Sequence, residues 1–233
     1  MKPLISLLQK TDGFLQKLIR GLNRRSNAQF KEVERWYQDD PHKLKRTNFD
    51  FLTSSSTVFD LGGYEGEWTS DIYARYNCNV YVFEPVSAFA DIIRRRFIKN
   101  ERIRVYAIGL AEKNSEVTIT IDRFASRIES TGSTAKPTEK IQLRSFTEFT
   151  TENNISTIDL LKINIEGAEF PLLESLETNG DLRNIKCLLI QFHDFADNAI
   201  ERRKNLQEAL SKTHVKLFDY PFVWECWKLK GLQ

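Results

Sequence analysis

At 233 residues the chain is long enough for one well-buried α/β domain with an appendage. Its 41% apolar and 28% charged residues are those of a soluble globular protein, and a net charge of +2 gives no ground for a nucleic-acid partner. No apolar run nears the roughly 20 residues of a bilayer span, and Cys78, Cys187 and Cys226, far apart and without C-x-x-C spacing, argue against a disulfide framework or a zinc site.

The N-terminus lacks the continuous apolar stretch of a signal peptide, so the expected location is the cytoplasm. Residues 1–25 hold six Lys/Arg against one acid, Asp12. From Pro3 to about Leu22, apolar residues recur at helical spacing with Lys10, Lys17 and Arg20 among them. Such a basic amphipathic helix can lie peripherally on the anionic inner membrane surface; packing on the domain or on a second subunit is the blander and preferred reading. A second amphipathic segment, 28–38, closes at Asp39-Asp40-Pro41. Residues 1–50 are therefore expected to form a helical extension, and 51–233 the main domain.

From residue 57 the chain alternates between two periodicities. Strands are expected at 57–61, 79–84, 103–108, 116–121, 140–143, 157–165 and 185–192, with helices at 65–76, 87–99, 146–153, 168–178 and 196–211. Residues 126–137, rich in Ser, Thr and Gly, read as a loop. Two last β segments, 215–219 and 222–229, are joined by a short turn at Pro221. The pattern predicts an α/β fold with a mostly parallel sheet and one antiparallel member at the C-terminus.

In such a sheet ligands bind beyond the carboxyl ends of the strands. Asp60, Gly62, Gly63 and Gly66 follow the first strand, where glycine can take positive φ and let main-chain amides approach a cofactor. Glu84 ends the second strand, 18 residues beyond Gly66, suited to accepting from ribose hydroxyls. Ile108 and Gly109 follow the third, a small apolar stretch suited to an adenine face. In the strand 157–165, Lys162, Asn164 and Glu166 alternate with apolar residues, as expected if they point together into a cavity rather than standing unpaired in a core. His193 falls at the next carboxyl end and is a candidate general base. Oxygens of Asn164, Glu166 and Asp194 suit Mg²⁺, but no metal is assigned.

Phe59-Asp60-Leu61-Gly62-Gly63-x-x-Gly66, Phe83-Glu84-Pro85 and the run Ile158–Glu169, in that order, resemble the FkbM family of S-adenosylmethionine-dependent methyltransferases. The resemblance covers roughly residues 55–230. It implies a Rossmann-like class I methyltransferase fold with seven strands, the last antiparallel. S-adenosylmethionine is the implied cofactor, and the implied activity is methylation of hydroxyl oxygens, often on sugars. The segments Gln191-Phe192-His193-Asp194 and Phe222-Val223-Trp224-Glu225 look like those of members found with surface-polysaccharide genes, so a small molecule or glycan is the expected partner. On this reading Asp60, Gly62, Gly63, Gly66, Glu84, Ile108 and Gly109 hold the cofactor, and His193, Glu166, Lys162 and Asn164 form the catalytic side. Asn164 stands where the family usually has Asp and cannot act as a carboxylate base. The loop Thr131–Thr134 is also similar to a family segment. Two alternatives accompany this reading. One is a non-catalytic methyltransferase-fold module in glycan assembly at the membrane. The other, an NAD(P)-dependent oxidoreductase, is disfavoured by Leu61 at the first glycine position of G-x-G-x-x-G.

Overall fold

The computed structural model of the protein describes residues 28–120, 127–128 and 137–232. The basic helix expected within 1–25 and the Thr131–Thr134 loop lie outside them. The elements are α1 (Ala28–Asp39), β1 (Thr57–Leu61), α2 (Glu67–Tyr76), β2 (Asn79–Phe83), α3 (Ser87–Arg96), β3 (Ile103–Tyr106), β4 (Gly109–Ala111), β5 (Ser115–Thr120), β6 (Arg127–Ile128) and β7 (Thr138–Ser145). They continue with α4 (Phe146–Glu152), β8 (Leu160–Ile163), α5 (Glu169–Asn179), β9 (Cys187–Ile190), α6 (Ala199–Thr213), β10 (His214–Tyr220) and β11 (Trp224–Leu229).

Seven strands form one sheet in the order β10-β11-β9-β8-β1-β2-β3. Neighbours from β9 to β3 pair in parallel, and β11 is antiparallel to both β9 and β10. This is the class I methyltransferase arrangement expected from the sequence, with its one reversed strand last in the chain. Successive strand residues face opposite sides of a sheet, and here they sort into two cores. Phe59, Leu61, Leu161, Ile163, Leu188 and Ile190 pack with α4, α5 and α6. Val58, Leu160, Cys187 and Leu189 join Ile72 of α2, Ile93 of α3 and Trp36 of α1. Continuous apolar strands are what burial on both faces demands.

α1 and the segment after it are tied to the sheet edge. Trp36 meets Tyr220 edge-on, ring centroids 5.0 Å apart, while the Tyr220 hydroxyl donates to Asp39 at 2.8 Å and accepts from Lys45 Nζ at 2.7 Å. Residues 28–52 thus share the core of the sheet, with Trp36, Phe49 and Leu52 buried in it. All three cysteines are buried free thiols.

One expectation needs correction. The strand read as 103–108 ends at Tyr106, and from Gly109 the chain enters a second sheet of order β4-β7-β5-β6. No helix among the described residues is long and apolar enough to cross a membrane.

Candidate active site

Strand order reverses on either side of β1, which lies between β8 and β2, so the crevice opens where the carboxyl ends of these strands meet. Gly62 leaves β1 at φ +80°. A Cβ there would lie 1.9 Å from the Asn164 carbonyl oxygen, and one on Gly63 would lie 2.4 Å from Val82 Cγ1. Glycine is required because neighbouring strand ends approach the turn this closely. The turn is held by Gly62 N–H donating to the Phe83 carbonyl at 2.9 Å and Asn164 N–H donating to the Leu61 carbonyl at 3.1 Å. Gly66, at φ +79°, then hands the chain to α2.

Beneath this turn Asp60 and Lys162 are register partners on adjacent parallel strands. Lys162 Nζ donates to Asp60 Oδ1 at 2.8 Å, to the Gly62 carbonyl at 2.7 Å and to the Leu61 carbonyl at 3.3 Å. The second Asp60 oxygen accepts from Thr69 Oγ1 at 2.7 Å. Both side chains are buried, 0% exposed for Asp60 and 6% for Lys162. The polar atoms expected to face cofactor and acceptor are thus engaged within the protein, where Asp60 and Lys162 together brace the glycine turn from below. Lys162 therefore does not converge with Asn164 and Glu166, which lie past the end of β8.

Glu84 sits at the end of β2, 6% exposed. Its Oε2 accepts from Tyr64 N–H at 2.8 Å and its Oε1 from Val86 N–H at 3.0 Å. Burial pushes its pKa up to about 7, against the opposing pull of those two amides. A carboxylate has about four lone-pair sites, so acceptor capacity remains on both oxygens. Ile108 packs against the main core. Gly109 makes room for the second sheet, since a Cβ on it would meet Leu143 Cδ2 at 2.6 Å. That close packing is reason enough for a glycine here: its lack of a side chain answers to Leu143.

Beyond β8 the side-chain oxygen Oδ1 of Asn164 is buried without a partner among the described residues. Next come Glu166 at φ 54° and Gly167 at φ 101°, with Glu169 wholly buried at the start of α5. Glu169 is the group that sequence reasoning missed. Its Oε2 accepts from Gly167 N–H at 2.7 Å, and its Oε1 from His193 N–H at 2.8 Å and His193 Nδ1 at 3.1 Å. An acid in the first turn of a helix is ordinarily explained by the helix dipole alone, which masked this role. The other imidazole nitrogen, Nε2, lies 3.5 Å from Glu166 Oε1. Burial alone would lower the His193 pKa; hydrogen bonds and charge from Glu166 and Glu169 outweigh it and raise it to about 9. The two carboxylates on either side of the ring favour its protonated form. The Phe195 ring lies 5.2 Å from the imidazole and is 40% exposed at the rim, as is Tyr64 at 43%. Among the described residues no group of three or more His, Cys, Asp or Glu side chains is placed to hold a metal.

A family profile described as the methyltransferase FkbM domain matches residues 60–219. No curated protein sequence matches the chain. Among solved structures, a protein described as an rRNA methylase from Clostridium thermocellum superposes with a TM-score of 0.50 at 9% identity, over 82% of this chain and 94% of that one. A methyltransferase-like protein of Streptococcus mutans, solved with SAH, gives 0.46 at 10% identity over 76% and 90%. At 9% identity the first of these likenesses speaks to the fold alone.

Proposed function

The chain belongs to the FkbM methyltransferase family, and from that premise we propose that it moves the methyl group of its cofactor, S-adenosylmethionine, to a hydroxyl oxygen of a sugar or surface-polysaccharide precursor. When bound, the cofactor supplies an electrophilic sulfonium methyl carbon with a neutral thioether as leaving group. The strand ends suit it. Gly62 and Gly66 let the chain turn tightly at the strand ends, beside which its methionine end would lie, and the unpartnered Oδ1 of Asn164 is free to accept from the ammonium. Glu84 retains acceptor sites for the ribose hydroxyls.

A single observation carries the choice of hydroxyl chemistry: Glu166, a partly exposed carboxylate backed by an imidazole that is itself clamped by a second, buried carboxylate. A hydroxyl must shed its proton as it attacks carbon. Glu166 accepts that proton, while His193, already carrying both of its own, fixes the carboxylate's position. Holding oxygen and methyl in near-attack geometry supplies on the order of 7 kcal/mol or more of the barrier reduction.

Glu166→Gln should lower turnover by roughly 10²–10⁴-fold and leave S-adenosylhomocysteine binding by calorimetry unchanged. Transfer of a labelled methyl group to sugar nucleotides and lipid-linked oligosaccharides is the assay; label found on nitrogen or carbon would end the hydroxyl assignment, and label found only on RNA would end the polysaccharide-precursor assignment. A second reading, a scaffold that keeps the fold without turnover, draws on Asn164 standing where the family usually has Asp. It predicts no binding of either cofactor form.

A further inference from the structure

The amino ends of the parallel strands carry a feature that methyl transfer does not use. α3 ends in Arg94-Arg95-Arg96, and the link to β3 continues Phe97-Ile98-Lys99-Asn100-Glu101-Arg102. Cations in a last helical turn complement the helix dipole, which explains part of the run. It does not explain Ile98, a large apolar side chain 79% exposed in the middle of them. Arg94 is tied to Asp91 at 2.9 Å, and Arg102 donates to the Ser54 carbonyl at 2.7 Å. Exposed Arg95 and Lys99 have no ion-pair partner among the described residues. Beside them lies an open cavity of about 560 Å³, floored by Tyr73 and Phe97 and rimmed by Arg96, Lys99 and Arg102, with Glu101 its one acid.

We propose that this face docks on an anionic bilayer, with Ile98 entering the headgroup layer and the surrounding cations engaging lipid phosphates. An apolar side chain ringed by Lys and Arg gains from both parts of an interface, hydrocarbon and surface charge. Against a nucleic acid, Ile98 would meet phosphate and gain nothing. A nucleic-acid substrate would also have to reach from this patch to the strands' opposite ends, where the crevice lies. Docking in this pose turns the crevice away from the lipid, so the acceptor arrives from the aqueous side. The docking rests on these residues alone; of the acceptors, it suits a soluble sugar nucleotide rather than a lipid-linked one.

The test is sedimentation of the full chain with phosphatidylcholine vesicles, with and without about a third phosphatidylglycerol. Binding is expected only to the anionic vesicles and should fall in high salt. Each basic residue contributes about fivefold, so Arg95→Glu with Lys99→Glu should cost at least tenfold. Ile98→Ser, which changes no charge, should weaken vesicle binding several-fold and leave binding of a single-stranded oligonucleotide unchanged. All these side chains are exposed, so unaltered melting temperatures check that the variants fold. No binding of the full chain to anionic vesicles would overturn the proposal. So would binding retained by both variants, which would place it elsewhere, such as residues 1–25. A charge-reversal loss on the oligonucleotide with Ile98→Ser neutral on vesicles would assign the patch to nucleic acid.

Discussion

Two clusters of opposite charge lie at neighbouring strand ends, and they differ in what they leave open. Asp60 and Lys162 are saturated: three acceptors surround the ammonium, and both carboxylate oxygens have donors. Around His193 the geometry is looser. Glu169 accepts three contacts and is sealed, whereas Glu166 keeps side-chain exposure of 22%, a 3.5 Å separation from the imidazole and a left-handed backbone. A saturated buried pair can only hold shape. A cluster with one partly exposed carboxylate on an unfavourable backbone has capacity left for chemistry, in line with the tendency of strained non-glycine residues to gather at functional sites.

Substitutions can break this contrast. The largest effect is expected at Lys162→Met, which strands a buried Asp60 carboxylate and should cost about 3–5 kcal/mol in chemical denaturation. Adding Asp60→Leu should recover much of that loss; a double variant as unstable as the single one would mean that the pair is not the brace. Next comes pH. His193 has a folded-state pKa of about 9 against an ordinary 6.5, so its charged pairing stabilises the fold fully below 6.5 and is lost as pH rises through 9. That loss is worth roughly 3 kcal/mol. His193→Gln should lack the decline, and a decline that persists in the variant would move its origin to another group. The smallest effect is the most diagnostic. Glu166→Gly relieves a side chain at φ 54° by about 1 kcal/mol but removes one of the two carboxylates that hold His193, so stability should change little while turnover collapses. Stability and turnover falling together would make Glu166 a structural residue after all.

Much of the sheet was readable in the amino-acid sequence, because strands buried on both faces are apolar throughout and their intervening helices are not. Strand ends were read too long, 157–165 for a ladder that runs Leu160–Ile163, because apolar character continues past the last paired residue. The pairing of Asp60 with Lys162 was hidden for a different reason. It depends on β8 being the neighbour of β1 and on a register that sets the two residues opposite each other, neither of which local periodicity contains. Lys162 therefore looked like a charge in search of a cavity. Glu169 was overlooked because a helix N-terminus already accounts for an acid. The second sheet escaped because β4 follows β3 after only two residues, with no break in composition to mark the change of direction.

The closeness of Gly62 to the Asn164 carbonyl has a consequence for synthesis. The turn and its wall come from parts of the chain 102 residues apart, and contacts of such separation form late and slowly. A nascent chain that has delivered β1, α2 and β2 already carries the turn sequence, but neither the lysine that braces it nor the carbonyl beside it. Cofactor cannot guide the early domain toward its shape; it can only reward, by mass action, a chain that has reached β8. Binding measured on chains arrested at successive lengths should therefore be absent until residues 160–164 have emerged and folded.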